Sequence, residues 1–126
     1  MKQLPIFSDL KKAVSRLEES LSKEKTDINR DSSLMRFQMS FDAAMKTLKE
    51  YARSQGKECY VPKQCLRVAF QLGLIPHDTK WLDMVDDRNA IIHTYKESLA
   101  EYIYSKLSTY LVLLKSLVQK IETADV

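Results

Sequence analysis

Glycine and proline are scarce in this sequence. Its 126 residues include only 2 Gly and 3 Pro. The glycines, Gly56 and Gly73, stand too far apart to form the phosphate-binding loop of a dinucleotide-binding fold or of a P-loop protein. So few turn-forming residues also argue against a β-sandwich or a β-barrel, since both folds need many tight connections. The sequence therefore favours a fold with few turns.

Long apolar runs and metal-binding clusters are missing as well. Charged residues make up 29% of the chain, too many for a transmembrane segment, and the segment Met1–Pro5 leads into no apolar stretch, so we expect no secretory signal. Cys59 and Cys65 are too few for a disulfide framework, and with only 2 His they match no zinc pattern, so we expect reduced thiols and no metal or other cofactor. The net charge of +3 is too small for a dedicated DNA-binding domain. We therefore expect a cytoplasmic protein without a membrane or DNA partner.

Apolar residues recur with helical spacing between the glycines and prolines, and no stretch alternates as a strand would. The sequence therefore predicts an all-α fold, an antiparallel helical bundle of about five helices, four long and one short, in a single domain over residues 1–126. The predicted helices run from Ser8, as N-cap, to Lys23, from Asp31 to Gln55, from Pro62 over a short stretch, from Thr79 to near His93, and from Glu97 to Ile121.

The fourth predicted helix carries an arginine on its apolar face. At 100° per residue, Trp81, Val85 and Ile92 lie along one stripe, and Arg88 falls on the same stripe. A guanidinium in that position needs hydrogen-bonding partners if it is buried. Arg88 is therefore a candidate functional residue.

A second line of the same helix carries Asp86, Asn89 and His93 at spacings i, i+3 and i+7. Either Asp86 or Asn89 can then orient the imidazole of His93. Arg88 and His93 are separated by about 140° on a continuous helix and would not converge. Either the helix ends before His93, or another chain completes the site.

The junction between the fourth and fifth predicted helices contains a helix-capping pattern. Thr94 and Glu97 have the S/T-x-x-E spacing of a capping box, which predicts that Thr94 caps the fifth helix. Ser98 and Glu101 have the same spacing and offer a competing register. An ordinary structural interpretation of the segment stays open, in which the junction histidine only packs and surface ion pairs join Asp86, Asp87 and Arg88.

A family resemblance adds to these patterns. Arg88-Asn89-x-x-x-His93 resembles the R-N-x-x-x-H signature of HEPN domains, and Tyr95 extends it to R-x4-H-x-Y. Further segments follow in the same order as in one HEPN branch, the nucleotidyltransferase substrate-binding protein family, and the resemblance covers the chain from about Leu10 to Leu117. These segments are Arg36-Phe37, Lys46-Thr47-Leu48-Lys49, Ala69-Phe70, Gly73-Leu74-Ile75, Trp81-Leu82-Asp83-Met84 and Asp87-Arg88-Asn89.

The resemblance implies a homodimer in which the two motifs face each other. It also implies a cognate minimal nucleotidyltransferase, encoded alongside, and a toxin–antitoxin relationship between the two proteins. The HEPN member of such a pair is a metal-independent endoribonuclease, and the nucleotidyltransferase neutralises it in some relatives by adding AMP to the motif tyrosine. The matching residue in this sequence is Tyr95.

The motif residues suit that chemistry. His93 can move protons near neutral pH, Arg88 can donate two parallel hydrogen bonds to a phosphate, and Asn89 can orient either of them. We expect these three to be the catalytic residues, and we expect Tyr95 and Asp86 to belong to the surface that binds RNA or accepts AMP. The alternative is a noncatalytic subunit that binds substrate or nucleotide for the partner nucleotidyltransferase.

Basic residues also repeat along the second predicted helix. Lys46, Lys49 and Arg53 form a helical stripe that can supply a local basic patch. Such stripes are more often solvated helix faces, and we interpret this stripe in that way. Asp86 and Asp87, beside Arg88, would in addition repel RNA phosphates.

Overall fold

The computed structural model describes residues 2–124, and the regular secondary structure of this part of the chain is all helical, with no strand. The predicted all-α fold is therefore confirmed. Five α-helices follow one another, with a short 3-10 helix before the last: α1 (Pro5–Leu21), α2 (Asp27–Ser54), α3 (Pro62–Gln71), α4 (Thr79–Ala90), the 3-10 helix (Ile91–His93) and α5 (Glu97–Thr123).

The core lies between the three long helices. α1 and α2 form an antiparallel hairpin, and α5 packs against both of them. Each helix buries one apolar stripe because its apolar residues recur every three or four positions. The stripe of α1 is Phe7, Leu10, Val14 and Leu17, that of α2 includes Leu34, Phe37, Phe41, Ala44 and Leu48, and that of α5 includes Ile103, Leu107, Tyr110, Leu114 and Leu117.

The two shorter helices attach at one side of this hairpin. α3 packs on α2, and α4 bridges α3, α2 and α5, with Trp81 and Met84 buried against the core. The end of α4 is thereby held between the two longest helices. None of the helices in residues 2–124 combines the length and the apolar character that crossing a membrane requires.

Two helix starts differ from the sequence prediction. α1 begins at Pro5, with Leu4 as its N-cap, so Ser8 lies inside the helix and caps nothing. Proline is well suited to the first position of a helix because a backbone N–H there would have no hydrogen-bond partner, and proline has no backbone N–H. α2 begins at Asp27 rather than at Asp31, and the hydroxyl of Thr26 accepts a hydrogen bond from the backbone N–H of Asn29 at 3.1 Å.

The predicted capping box at the last junction is wrong. The N-cap of α5 is Lys96, which makes no side-chain cap. The hydroxyl of Thr94 instead donates to the backbone carbonyl of Ile91 at 2.6 Å, so it closes the 3-10 turn behind it. The side chain that was predicted to start α5 therefore stabilises the end of the preceding element.

The cysteines also depart from expectation. Cys59 and Cys65 form a disulfide, with their Cα atoms 5.1 Å apart, and both residues are buried. The loop between α2 and α3 folds back so that Cys59 meets the first turn of α3. The prediction of reduced thiols is therefore wrong. It failed because a spacing of six residues in the sequence does not show that the loop returns to α3.

A buried arginine joins the start of α2 to the start of α5. Arg30 is 3% exposed, and its guanidinium pairs with the carboxylates of Glu97, Glu101 and Asp31. The hydrogen bond from Lys25, followed by that from Arg30, lowers the pKa of Glu101. The carboxylate of Glu101 is consequently ionised at neutral pH, and its stabilising contribution is lost as the pH falls and it takes up a proton.

We predict that Arg30→Met destabilises the protein. The free energy of unfolding should fall by about 2 kcal/mol, because the substitution removes a buried cation but leaves carboxylates that water can reach. Urea unfolding followed by circular dichroism measures this change. Arg53→Met is the matched control, since Arg53 pairs with Glu50 on the surface, and it should change stability by no more than about 0.5 kcal/mol. Equal losses for the two variants would contradict the role assigned to Arg30.

Candidate functional site

The motif segment changes its backbone geometry halfway. α4 ends at Ala90, and Ile91–His93 continues as a 3-10 helix before the chain turns into α5. Of the two possibilities open from the sequence, the helix does end before His93. Arg88 and Asn89 consequently belong to the last α-helical turn, whereas His93 and Tyr95 follow the break.

Arg88 is held by a residue on α2. Its Nε and Nη2 atoms donate to Oδ1 and Oδ2 of Asp42 at 2.9 and 3.1 Å, and the guanidinium is partly exposed. This bidentate pair supplies the partners that an arginine on an apolar stripe requires. Within residues 2–124, Nη1 of Arg88 makes no hydrogen bond or ion pair, so this atom is free to contact an anion.

Asp42 was not found from the sequence. It lies 46 residues before Arg88 and is one of several carboxylates along α2. No local pattern distinguishes it from the others. Only the packing of α4 against α2 identifies it as the partner of the motif arginine.

Asp87 faces the interior instead of the surface. It is 8% exposed, and its Oδ2 accepts hydrogen bonds from the hydroxyl of Tyr110 at 2.5 Å and from Nζ of Lys106 at 3.1 Å. Burial, and then the hydrogen bond to Asp87, raises the pKa of Tyr110, so its hydroxyl keeps the proton that it donates. Asp87 therefore forms no surface ion pair with Arg88, as the ordinary structural interpretation would have it, and ties the last turn of α4 to α5 instead.

His93 is exposed, and no residue among 2–124 forms a hydrogen bond with its imidazole. Asp86 is turned away and forms an ion pair with Lys63 of α3 at 3.3 Å. Asn89 lies one turn back on the exposed side of α4 and forms no hydrogen bond with the imidazole either. The predicted orientation of His93 by Asp86 or Asn89 is therefore not present in the single chain. The ring of Tyr95 lies near that of His93, with ring centroids 6.3 Å apart.

Exposed apolar side chains occur at the break in α4 and on the face of α2 that carries Asp42. Ile92 was expected on the buried stripe, but it is 70% exposed because the 3-10 turn rotates it away from Trp81 and Val85. The face of α2 that carries Asp42 also exposes Met39 and Met35, one and two turns earlier. These residues leave an apolar surface next to the motif.

A cavity of about 540 Å³ opens beside Arg88 and Asn89. Its walls come from α2, from the loop before α3 and from the end of α4, and neither His93 nor Tyr95 lines it. The structure therefore places two of the motif residues at a cavity and two on the adjacent exposed turn. Within residues 2–124, no group of three or more His, Cys, Asp or Glu residues is arranged to hold a metal ion.

These features define a class of protein: a helical bundle that presents an Arg-Asn-x-x-x-His segment at the end of its fourth helix. The profile of the family described as nucleotidyltransferase substrate binding protein like matches residues 6–123, and the chain belongs to this family. The family recognised from the sequence is therefore confirmed.

Solved structures share the fold. The protein ttk003001694 from Thermus thermophilus is 33% identical, with a TM-score of 0.83 over 89% of this chain and 98% of that one. HI0074 from Haemophilus influenzae, described as revealing the fold of a substrate binding domain of a nucleotidyltransferase, is 21% identical, with a TM-score of 0.84 over 93% of this chain and 99% of that one. The second likeness concerns the fold alone.

A curated relative carries a functional name. The probable ribonuclease HepT of Haemophilus influenzae is 26% identical over 85 residues, which are 64% of this chain. The match spans 58% of the length of that relative. The ribonuclease name therefore belongs to the relative, and its activity is a hypothesis for this chain.

We predict that the two carboxylates beside Arg88 differ in their effect on stability. Asp87→Asn should lower the free energy of unfolding by about 2 kcal/mol, because it removes the charge from a buried acceptor of two hydrogen bonds. Asp42→Asn should lower it by less than about 1 kcal/mol, since both members of its ion pair are partly exposed. Urea unfolding of the two variants measures both effects. A larger loss for Asp42→Asn would contradict the assignment of Asp87 as the interior tie.

Proposed function

We propose that this protein is the HEPN toxin of a toxin–antitoxin pair with a minimal nucleotidyltransferase. It would be a cytoplasmic, single-domain chain that dimerises and cleaves RNA without a metal ion. The observation that carries the proposal is the position of Arg88 and Asn89 at a cavity beside the exposed His93 and Tyr95. The family and the name of the HepT relative support it.

Arg88 and His93 lie on different surfaces of one chain, and this separation favours a site shared between two chains. In one chain, Arg88 points toward α2, whereas His93 stands on the turn beyond α4. The exposed apolar side chains of Met35, Met39 and Ile92 lie around this region and would be covered by a second copy. A two-fold axis through this surface would bring Arg88 of one chain toward His93 of the other.

The proposed reaction is attack of a ribose 2′-hydroxyl on the adjacent phosphate. His93 takes the hydroxyl proton as the new bond from O2′ to phosphorus forms. The bond from phosphorus to the 5′ oxygen breaks, and the departing oxygen takes up a proton, which leaves a 2′,3′-cyclic phosphate and a 5′-hydroxyl end. Nη1 of Arg88 donates to the phosphate oxygens, where negative charge grows in the transition state.

Asp42 and Asn89 would act on this arrangement indirectly. The bidentate bond of Asp42 uses Nε and Nη2 of Arg88 and thereby points the Nη1 edge outward. Asp42 is thus proposed as a positioning residue. Asn89, on the same turn as Arg88 and at the cavity, would hold the phosphate or the imidazole of the facing chain. Asp86, exposed and paired with Lys63, would border the RNA-binding surface.

We predict that His93→Ala and Arg88→Ala each slow RNA cleavage by at least about 100-fold, since each removes one proposed element of transition-state stabilisation. Cleavage of a labelled single-stranded RNA in a chelating buffer measures the rates. The product ends should be 2′,3′-cyclic phosphates. His77→Ala and Arg16→Ala, at exposed positions away from the motif, should cut like the parent. Unchanged rates in the motif variants would refute the nuclease.

Mixed dimers test the shared site. When the Arg88→Ala and His93→Ala chains are co-expressed, a heterodimer retains one site with both residues if the site is composed across the interface. Roughly a quarter of the parental activity should then return, because half of the dimers are mixed and each has one intact site of two. If every site belongs to one chain, mixing restores no activity.

The partner would act on Tyr95. This residue is 77% exposed and follows His93 by two positions, so its hydroxyl is accessible to a second protein. Attack of this hydroxyl on the α-phosphate of ATP would release pyrophosphate and add AMP, a bulky anion, beside His93 and, across the proposed interface, Arg88 of the second copy. The modified side chain would then compete with RNA phosphates for the same cations.

We predict that co-expression with the neighbouring nucleotidyltransferase adds one or more AMP units to the protein and relieves growth arrest. Intact-mass spectrometry and growth curves measure the two effects. Tyr95→Phe should abolish both the mass gain and the relief, because it removes the acceptor oxygen. Tyr102→Phe, at another exposed tyrosine, should leave both unchanged. A mass gain that persists in Tyr95→Phe would show that another residue is the acceptor.

One observation favours a second function, that of a noncatalytic subunit binding substrate or nucleotide for the nucleotidyltransferase. Asp42 already pairs with the guanidinium of Arg88, and His93 has no side chain within residues 2–124 that orients it by a hydrogen bond. The family description names substrate binding. Under this alternative the chain is harmless when expressed alone and raises the activity of the partner.

A further inference from the structure

Two cavities join into a single basic surface on α2. The cavity beside Arg88 is also lined by Lys46, Lys49 and Tyr60. A smaller cavity shares Lys49 and Tyr60 with it and continues to Arg53 and Lys57. We call this surface the basic trough; it consists of Lys46, Lys49, Arg53, Lys57, Tyr60 and Arg88.

The positive charge of the basic trough is largely unneutralised. Lys46, Lys49 and Lys57 are exposed and form no ion pair with any of residues 2–124. Two carboxylates also line the two cavities: Asp42 is paired with Arg88, and Glu58 accepts the hydroxyl of Tyr60 and keeps its negative charge. Arg53 is paired with Glu50, so the excess positive charge comes from the three lysines. The surface therefore keeps a positive potential, despite the small net charge of the whole chain.

The spacing of these cations follows the helix. Lys46, Lys49 and Arg53 recur at i, i+3 and i+7, so they form one stripe along roughly 10 Å of α2 at 1.5 Å per residue. Tyr60 stands between the two cavities with 71% of its surface exposed. A line of cations with an exposed aromatic ring beside it is the arrangement that holds the backbone of a single strand and stacks one of its bases.

We propose that the basic trough binds single-stranded RNA and leads it to Arg88. This inference rests on the proposed ribonuclease function and adds the direction of the substrate: the strand runs from the Lys57 end along α2 toward the motif. Lys46 and Lys49 contact phosphates, and Tyr60 stacks on an unpaired base. The stripe that the sequence favoured as a solvated helix face is, on this proposal, the RNA-binding surface.

The test uses binding in the His93→Ala background, so that the RNA stays intact. Fluorescence anisotropy measures the Kd of a labelled single-stranded RNA over a series of salt concentrations. The added pair Lys46→Gln/Lys49→Gln should weaken binding by on the order of tenfold, and should reduce the slope of log Kd against log salt by about 1.4, since each single-strand contact contributes about 0.7. Tyr60→Ala should weaken binding severalfold at every salt concentration, whereas Tyr60→Phe should retain it.

Lys12→Gln/Lys120→Gln is the matched control, because it removes the same charge from exposed lysines that line none of the cavities. Equal Kd values for the trough pair and this control would overturn the proposal. Binding of duplex RNA as tight as that of the single strand would overturn it as well, since a paired base cannot stack on Tyr60. If RNA binds through the basic trough but the parent chain does not cleave it, the nuclease proposal is refuted and the proposal of an RNA-binding trough is retained. If the trough variants cleave RNA as fast as the parent chain, the trough proposal is refuted and the nuclease proposal is retained.

Discussion

The carboxylate of Asp87 needs partners inside the bundle, and the layout of the candidate site follows from that requirement. A buried carboxylate is costly unless hydrogen-bond donors compensate it, and Tyr110 and Lys106 of α5 provide them. Because both donors belong to α5, the last turn of α4 is held with Asp87 facing that helix. The next residue, Arg88, then reaches α2 and Asp42. An interior polar contact thus decides where the motif arginine points.

The end of α4 at Ala90 divides the motif between two surfaces. Arg88 borders a cavity, and His93 stands on the exposed turn after the 3-10 helix. A phosphate that must meet both groups at once is therefore better served by two facing copies than by one. The pairing of Arg88 with Asp42 also leaves this arginine little free charge for attracting a polyanion. Lys46 and Lys49 line the same cavity and form no ion pair with any of residues 2–124, so they can supply the attraction that Arg88 alone does not.

Sequence periodicity predicted the helices well because each stripe repeats over many turns. In α1 and α5 most of the apolar residues that recur with helical spacing are buried, as with Leu10 and Leu114, whereas Leu21 and Leu99 are only half-buried. The ends were less predictable. Ser8 and Thr94 each have the chemistry of a cap, but the helices begin at Pro5 and at Glu97 without a side-chain cap. Several residues near a helix start satisfy the local pattern equally well, and packing selects among them.

The sequence by itself determined the all-α fold, the family and the order of the motif residues, because helical spacing and a contiguous motif are properties of neighbouring positions. Only the tertiary structure decided which residues surround the motif. Asp42 and Arg88 are 46 positions apart, and Cys59 meets Cys65 only because a loop folds back. The meeting of Lys49 and Tyr60 at one surface has the same origin. Such contacts depend on how the helices pack, and the polar residues involved have no periodicity that would reveal their partners.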